Sequence, residues 1–211
     1  MLPTIHFLGG PPGTGKSTVA PLVVQHLQHK HDRTVVLLDG DMFYPPQARV
    51  MDSERSGIEL DTPEFAKKFN LPNQLEFQRI VREVAGKKVV LCTAPFENMY
   101  CMVGEKPLWE KMQSEDFKGF SISMTYMLTL GDSVEAEIKD RLRKRGRRNP
   151  YHRRLDLPKI QLPNFYAKRA DLVRKSVASF GFPLVEVEIE EEPEVTAQRI
   201  AEEILATESR H

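Results

Sequence analysis

A glycine-rich segment near the start of the chain restricts the fold more than any other feature. Residues 10–17 read Gly-Pro-Pro-Gly-Thr-Gly-Lys-Ser, which fills every fixed position of the pattern G-x-x-x-x-G-K-[ST]. Residues 4–8 form a short apolar run that predicts a buried strand, and apolar residues recur at helical spacing after the segment. A strand, a glycine loop and a helix N-terminus in this order form an anion-binding site. The alternative is a chance glycine-rich turn.

Each residue type in this loop has a role in binding phosphate. The glycines let backbone N–H groups turn inward around phosphate oxygens. A lysine at the position of Lys16 reaches the β- and γ-phosphates, and a hydroxyl at the position of Ser17 coordinates Mg²⁺. We therefore predict that the loop binds ATP and Mg²⁺. The predicted ligands are Gly10, Gly13, Thr14, Gly15, Lys16, Ser17 and Thr18.

Composition predicts an ordinary globular protein with one domain over residues 1–211. Hydrophobic residues make up 40% of the chain, and 30 basic residues balance 30 acidic ones. Zero net charge argues against a general nucleic-acid coat protein, although a local basic site stays open. Of the two cysteines, Cys92 lies in an apolar run and is expected to be a core thiol. No apolar run approaches the ~18 residues of a membrane span, and no signal peptide is evident, so we expect a cytoplasmic protein.

Strand and helix patterns alternate along the chain. Strands are predicted at 4–8, 34–38, 88–93, 121–130 and 184–189, and helices at about 16–29, 73–85, 107–115, 132–145, 164–179 and 194–206. This alternation predicts an α/β fold with a five-stranded parallel sheet and helices on both faces. Pro21 predicts a slight kink in the first helix, because proline lacks a backbone N–H. From Glu186, acidic and apolar residues alternate as in a half-exposed strand at a solvated edge.

Two carboxylates follow the second predicted strand. Asp39 and Asp41 flank a glycine there, and ligand-facing groups of open parallel sheets lie at the carboxyl ends of the strands. A carboxylate beside the phosphate loop can accept a proton from an attacking hydroxyl or hold Mg²⁺ through water. Asp41 is our first choice for a general base, and Asp39 is the second choice and a candidate metal ligand. The alternative is a plain turn, since Asp-Gly is common in turns.

A basic cluster occupies residues 141–154. Arg141 and Arg145 are four residues apart and so share one helix face, and Arg147 follows the helix end predicted at Gly146. An arginine segment near a nucleotide can close over it as a lid and neutralise charge on the transferred phosphoryl group. A solvated basic face, a localisation signal and a nucleic-acid patch are the alternatives.

The order of these features resembles that of the P-loop kinases of nucleosides, nucleotides and other small molecules. The late region is most similar to deoxynucleoside kinases, in which a helix ends in an R-x-x-x-R-x-R lid that Arg141, Arg145 and Arg147 match. Phe77-Gln78 is similar to a Phe-Gln pair of that family, whose glutamine contacts the base. The resemblance implies a phosphotransferase that takes the γ-phosphate of ATP to a nucleoside or nucleotide, with Arg145 and Arg147 on the transferred phosphate.

Other kinases share the acidic motif. Asp39-Gly40-Asp41 looks more like adenylylsulfate kinases, gluconate-type kinases and the polynucleotide 5′-hydroxyl kinases, because deoxynucleoside kinases carry a glutamate there. Residues 93–98 also lack the arginine that deoxynucleoside kinases have after the third strand. Two further acceptors therefore stay open: a small alcohol, and a nucleic-acid 5′-end, which extra basic residues favour. Those extra residues are Arg148, Arg153 and Arg154. Among aromatic residues, Phe43, Tyr44 and Phe96 either line the acceptor pocket or belong to the core.

Two non-kinase classes fit less well. The loop also looks like that of AAA-type ATPases, which need a strand ending in Asp-Glu, and the run at 89–93 ends without it. GTP-binding switch proteins need an Asn-Lys-x-Asp motif, which the sequence lacks. A nucleotide-binding ATPase module is the remaining non-kinase alternative. The sequence leaves the oligomeric state open, a homodimer included.

Overall fold

The computed structural model describes the sheet and most of the N-terminal third of the chain. The described residues are 4–10, 13–31, 34–60, 62–70, 72–73, 76, 79–80, 83, 89–93, 102–103, 106–107, 121–129, 167, 170–171, 173–175, 177–178, 183–189 and 192–209. Within this part of the chain, no helix combines the length and the apolar character needed to cross a membrane.

A five-stranded parallel sheet forms the centre of the molecule. Its strands in chain order are β1 (Thr4–Gly9), β2 (Val35–Asp39), β3 (Val89–Thr93), β6 (Ser121–Thr129) and β7 (Leu184–Glu188). They lie in the spatial order β2-β3-β1-β6-β7, and every neighbouring pair is parallel. All five predicted strands are confirmed, with each end within one residue. The edge position of β7 also confirms the half-exposed strand predicted from its alternating acidic residues.

Two long helices cover one face of the sheet. The first, α1 (Lys16–His31), contacts the last helix of the chain, Pro193–Glu208. Leu8, Tyr126 and Val187 project from the strands into the same buried cluster as the apolar sides of both helices. Pro21 lies inside α1 with its side chain exposed, and α1 continues through it. The predicted helices at 16–29 and 194–206 are thus confirmed with slightly longer bounds.

A further helical segment lies on the opposite face. Glu186 alternates with the inward-facing Val185 and Val187 along β7, so its side chain points away from α1. Arg174 reaches it from the helical residues near 173–175, donating hydrogen bonds of 2.7 and 2.8 Å from Nε and Nη2 to the two carboxylate oxygens. The fold class is therefore confirmed: α/β, with helices on both faces of the sheet. Cys92 is fully buried in β3, which confirms the core thiol.

Several helices between β2 and β3 were not predicted from the sequence. After β2 come α2 (Gly40–Phe43), α3 (Pro46–Ser56) and α4 (Pro63–Phe65), which runs into a π-helical turn over Ala66–Asn70. The start and end of α3 carry recognisable signals, because Pro46 occupies its first turn and Gly57 follows it with φ of 69°. These signals were available in the sequence, but the apolar spacing of this short helix is weak.

One predicted helix boundary is wrong. Position 107, where a helix was expected to begin, lies instead in the strand β5 (Lys106–Pro107), which pairs antiparallel with β4 (Met102–Val103). The rest of that prediction, 108–115, and the helix at 132–145 lie outside the described residues. The described positions within 73–85 and 164–179 are helical, as predicted. The last helix, Pro193–Glu208, is called α5 below.

Candidate active site

The glycine loop lies between β1 and α1, at the carboxyl edge of the central strand of the sheet. Gly10 and Gly15 have φ of 136° and 89°, a region that side-chain-bearing residues rarely adopt. A Cβ on Gly10 would lie 2.8 Å from the carbonyl oxygen of Leu128 and 3.0 Å from Oγ1 of Thr14. The loop is therefore packed directly against the end of β6, and only glycine fits at its start.

The first turn of α1 completes the loop. The carbonyl oxygen of Gly15 accepts hydrogen bonds from the backbone N–H groups of Thr18 and Val19, at 2.8 and 2.9 Å. The first N–H groups of any α-helix have no acceptor within the helix. At the start of α1 these N–H groups are part of the glycine loop. The first turn of α1 contains no acidic residue. Ser17 and Thr18 are exposed, so their hydroxyls are accessible from solvent.

The side chain of Lys16 extends across the glycine loop. Its Nζ donates a hydrogen bond of 2.5 Å to the carbonyl oxygen of Gly10, across the loop that separates the two residues in sequence. The side chain is only partly exposed. The ammonium group thus lies at the loop, where the helix N-terminus adds a positive field of its own.

Asp39 ends β2 and joins two neighbouring elements. Its Oδ1 accepts a hydrogen bond of 2.7 Å from the hydroxyl of Thr93 and one of 3.1 Å from the backbone N–H of Asp41. The second bond caps the N-terminus of α2. Both bonds end on Oδ1, and no described residue donates to Oδ2, which leaves that oxygen for a further donor or a metal-bound water. The role of Thr93 was missed from sequence, because its proximity depends on β3 lying beside β2.

Asp41 lies in the first turn of α2, two residues after Asp39. Its side chain is 52% exposed, and its Oδ1 accepts a hydrogen bond of 3.1 Å from Nη2 of Arg49. Partial burial raises the pKa of the Asp41 carboxyl above its ordinary value, while the positive charges of Arg49 and Lys16 oppose that rise and the charge of Asp39 adds to it. The phosphate loop follows β1 and the acidic motif follows β2, so both lie at the carboxyl edge of the same parallel sheet, with β3 between the two strands.

Arg49 contacts the candidate site through Asp41, and the sequence did not reveal it. It lies in α3, and its Nε donates a hydrogen bond of 3.0 Å to the carbonyl oxygen of Tyr44, while its Cζ lies 5.4 Å from the centre of the Tyr44 ring. Tyr44 is buried and its hydroxyl donates a hydrogen bond of 2.9 Å to Oδ2 of Asp52. Tyr44 thus belongs to the interior rather than to an open pocket wall. The proline pair that starts α3 was the one sequence signal that could have found Arg49.

Other predicted site residues lie outside the described part of the chain. These are Arg141, Arg145 and Arg147 with the whole lid segment at 141–154, the pair Phe77-Gln78, and Phe96; the side chain of Phe43 is likewise outside it. Among the described residues, no group of three or more His, Cys, Asp or Glu side chains is arranged to hold a metal ion.

Comparisons with known proteins add a structural likeness. No protein-family model and no curated protein matches the sequence. Among solved structures, the chain is similar to shikimate kinase from Aquifex aeolicus, with 14% sequence identity and a TM-score of 0.47 over 96% of both chains. A likeness at this level bears on neither the activity nor the substrate of this chain.

Proposed function

We propose that the protein is a P-loop kinase, an ATP- and Mg²⁺-dependent phosphotransferase that moves the γ-phosphate of ATP to a nucleoside or nucleotide. The observation that carries the proposal is that the glycine loop, which follows β1, and Asp41, which follows β2, lie at the same carboxyl edge of the parallel sheet. A phosphate-binding lysine and an accessible carboxylate in one place are the two groups that transfer to a hydroxyl requires.

The donor side consists of the loop and the start of α1. Backbone N–H groups of the loop from Gly13 onward would bind the β- and γ-phosphates, and Lys16 would neutralise charge that develops on the transferred group. The open space beside Gly15, where an added Cβ meets no atom within 4 Å, is compatible with a phosphate there. Ser17 and Asp39 are the residues that would hold Mg²⁺, directly and through water respectively. When bound, Mg²⁺ supplies charge neutralisation on the phosphate oxygens.

On the acceptor side, Asp41 is proposed as the general base. Its free carboxylate oxygen would accept the proton of the attacking hydroxyl while the oxygen–phosphorus bond forms and the bond to the departing ADP breaks. The geometry of Asp41 favours this role, because its side chain is 52% exposed and only its Oδ1 is bound, by Arg49, among the described residues. Asp39 is the weaker candidate, since its Oδ1 already accepts two hydrogen bonds.

The assignments of the lid and of the acceptor class depend on the sequence resemblance. Arg141, Arg145 and Arg147 are proposed to close over the nucleotide, and their spacing is what favours a nucleoside or nucleotide over other acceptors. Water excluded by such a lid could not compete with the acceptor hydroxyl.

A transfer screen with γ-labelled ATP and Mg²⁺ tests the function. Nucleosides, nucleoside monophosphates, 5′-hydroxyl oligonucleotides and small alcohols should be offered as acceptors, with labelled nucleoside phosphate as the expected product. Label on an oligonucleotide, with binding that weakens steeply as salt rises, would reassign the acceptor to a nucleic-acid 5′-end. Label on a small alcohol would reassign it to that class. Hydrolysis of ATP that no acceptor stimulates would replace the kinase with an ATPase module.

A further inference from the structure

We propose that Arg49 is a positioning residue for Asp41, which holds one carboxylate oxygen so that the other faces the acceptor hydroxyl. The inference rests on the proposed function, in which Asp41 is the general base. It assigns to α3 a part in the reaction that neither the loop motif nor the acidic motif implies.

Asp41 needs such support because its own helix is too short to orient it. The helix α2 has four residues, barely one turn, and a helix of this length has no stability of its own. On one side the Asp39 carboxylate caps it through the N–H of Asp41. On the other side the contact is the hydrogen bond of 3.1 Å from Arg49 Nη2 to Asp41 Oδ1.

Arg49 is itself held in place. Its side chain is 13% exposed, its Nε is bound to the carbonyl oxygen of Tyr44, and its guanidinium lies over the Tyr44 ring. The guanidinium is planar with donors in a fixed fork, so binding Nε at Tyr44 also fixes the direction of Nη2. Tyr44 is anchored in turn by its hydroxyl on Asp52. The support of Asp41 therefore extends into a buried part of the molecule.

The two carboxylate oxygens of Asp41 therefore have different surroundings. Oδ1 is bound to Arg49, and Oδ2 has no hydrogen-bond partner among the described residues. A carboxylate fixed through one oxygen presents the other in a single direction, and a misplacement of a reacting group by ~1 Å can cost about a hundredfold in rate. Arg49 thus acts on the rate of transfer through Asp41.

Kinetics of Arg49→Met measure this role, with Arg55→Met as the matched control on the exposed last turn of the same helix. We expect kcat of Arg49→Met to fall about ten- to a hundredfold with KM for ATP unchanged, and Arg55→Met to retain the parent kcat. Arg49→Lys should recover part of the loss, because an ammonium can pair with Asp41 but cannot also bind Tyr44. In an Asp41→Asn background, Arg49→Met should cost nothing further. Losses that multiply in the double variant would show that Arg49 acts independently of Asp41 and overturn the proposal.

A measurement independent of activity separates this inference from the proposed function. In the parent protein, nuclear magnetic resonance should give distinct signals for the two Nη groups of Arg49, because a bound guanidinium rotates slowly. These signals should merge in Asp41→Asn and stay distinct in Glu54→Gln, a substitution at an exposed site of the same helix. Merged signals in the parent protein would reject the positioning role even if phosphate is transferred. Distinct signals in a protein that transfers no phosphate to any acceptor would reject the proposed function alone.

Discussion

Asp39 and Thr93 are register partners at the carboxyl ends of β2 and β3, and their side chains are joined by a hydrogen bond of 2.7 Å. The bond links two residues that are 54 positions apart in the chain. It holds the carboxylate that caps α2, and α2 carries Asp41. The acidic motif is therefore oriented by a threonine that contributes no charge of its own.

Removing this link should be measurable as a loss of stability. Thr93→Val keeps the shape of a buried side chain but removes the donor to a charged acceptor, and we expect the free energy of unfolding to fall by about 2 kcal/mol. The control is Ser209→Ala, where the exposed hydroxyl bonds the carbonyl oxygen of Leu205 and the change should stay within about 0.5 kcal/mol. Chemical denaturation measures the unfolding free energy of both variants. Equal losses would show that the Thr93 hydrogen bond stabilises the protein no more than an exposed one does.

Lys16→Ala should reduce phosphate transfer by at least about a hundredfold, because it removes a charge placed at the transferred group. The same variant should keep its fold, since Lys16 is not in the buried core. Rates of labelled-phosphate transfer and a thermal unfolding curve should be recorded together. Full activity in a folded Lys16→Ala protein would refute the kinase proposal.

The two carboxylates should differ in their effect on rate. Asp41→Asn removes the proposed base and should lower kcat by about a hundredfold or more, with little change in the dissociation constant of ATP. Asp39→Asn should cost less, because an amide oxygen can still accept the bonds from Thr93 and from the Asp41 N–H. Steady-state kinetics and ATP titration on both variants make the comparison. The reverse ranking of the two losses would assign the base to Asp39.

Gly10 and Gly57 provide a matched pair for backbone strain. Both have positive φ, but an added Cβ would meet Leu128 and Thr14 at Gly10 and nothing within 4 Å at Gly57. Gly10→Ala combines strain with steric overlap and should cost about 3 kcal/mol of unfolding free energy. Gly57→Ala carries only the left-handed backbone cost of about 1 kcal/mol. Denaturation curves of the two variants measure both losses of unfolding free energy. Similar losses would argue against close packing of Gly10 on β6.

The ion pair of Arg174 and Glu186 should make a small, pH-dependent contribution to the unfolding free energy. Hydrogen bonds from Arg174 lower the pKa of the Glu186 carboxyl below its ordinary value of 4.5. A lowered folded-state pKa means that the stabilisation is fully present above that ordinary value and is lost as the pH falls through the folded-state pKa. Because both side chains are over a third exposed, Arg174→Met should cost at most ~1 kcal/mol near neutral pH.

The measurement is the difference in unfolding free energy between Arg174→Met and the parent protein across the acidic range. This difference should narrow as Glu186 becomes protonated, and high salt should reduce it at neutral pH as well. A difference that grows toward acidic pH would mean that Arg174 stabilises the protein through something other than its ion pair with Glu186.

Local pattern predicted most of the fold. The five strands were recognised because each is a short apolar run, and α1 and α5 because their apolar residues recur at helical spacing. The loop was recognised because its glycines, lysine and serine are required at fixed positions by phosphate chemistry. The short helices after β2 escaped prediction, because one or two turns carry too few apolar positions to show a period.

The sequence by itself determined the five strands of the sheet, the long helices α1 and α5, the phosphate loop and the presence of two carboxylates after β2. The tertiary structure alone decided which groups those carboxylates meet. Thr93 reaches Asp39 because β3 lies between β2 and β1 in the sheet, and Arg49 reaches Asp41 because α3 folds back over Tyr44. Strand order and helix docking depend on burying apolar surface between residues distant in the chain, which a local pattern does not encode.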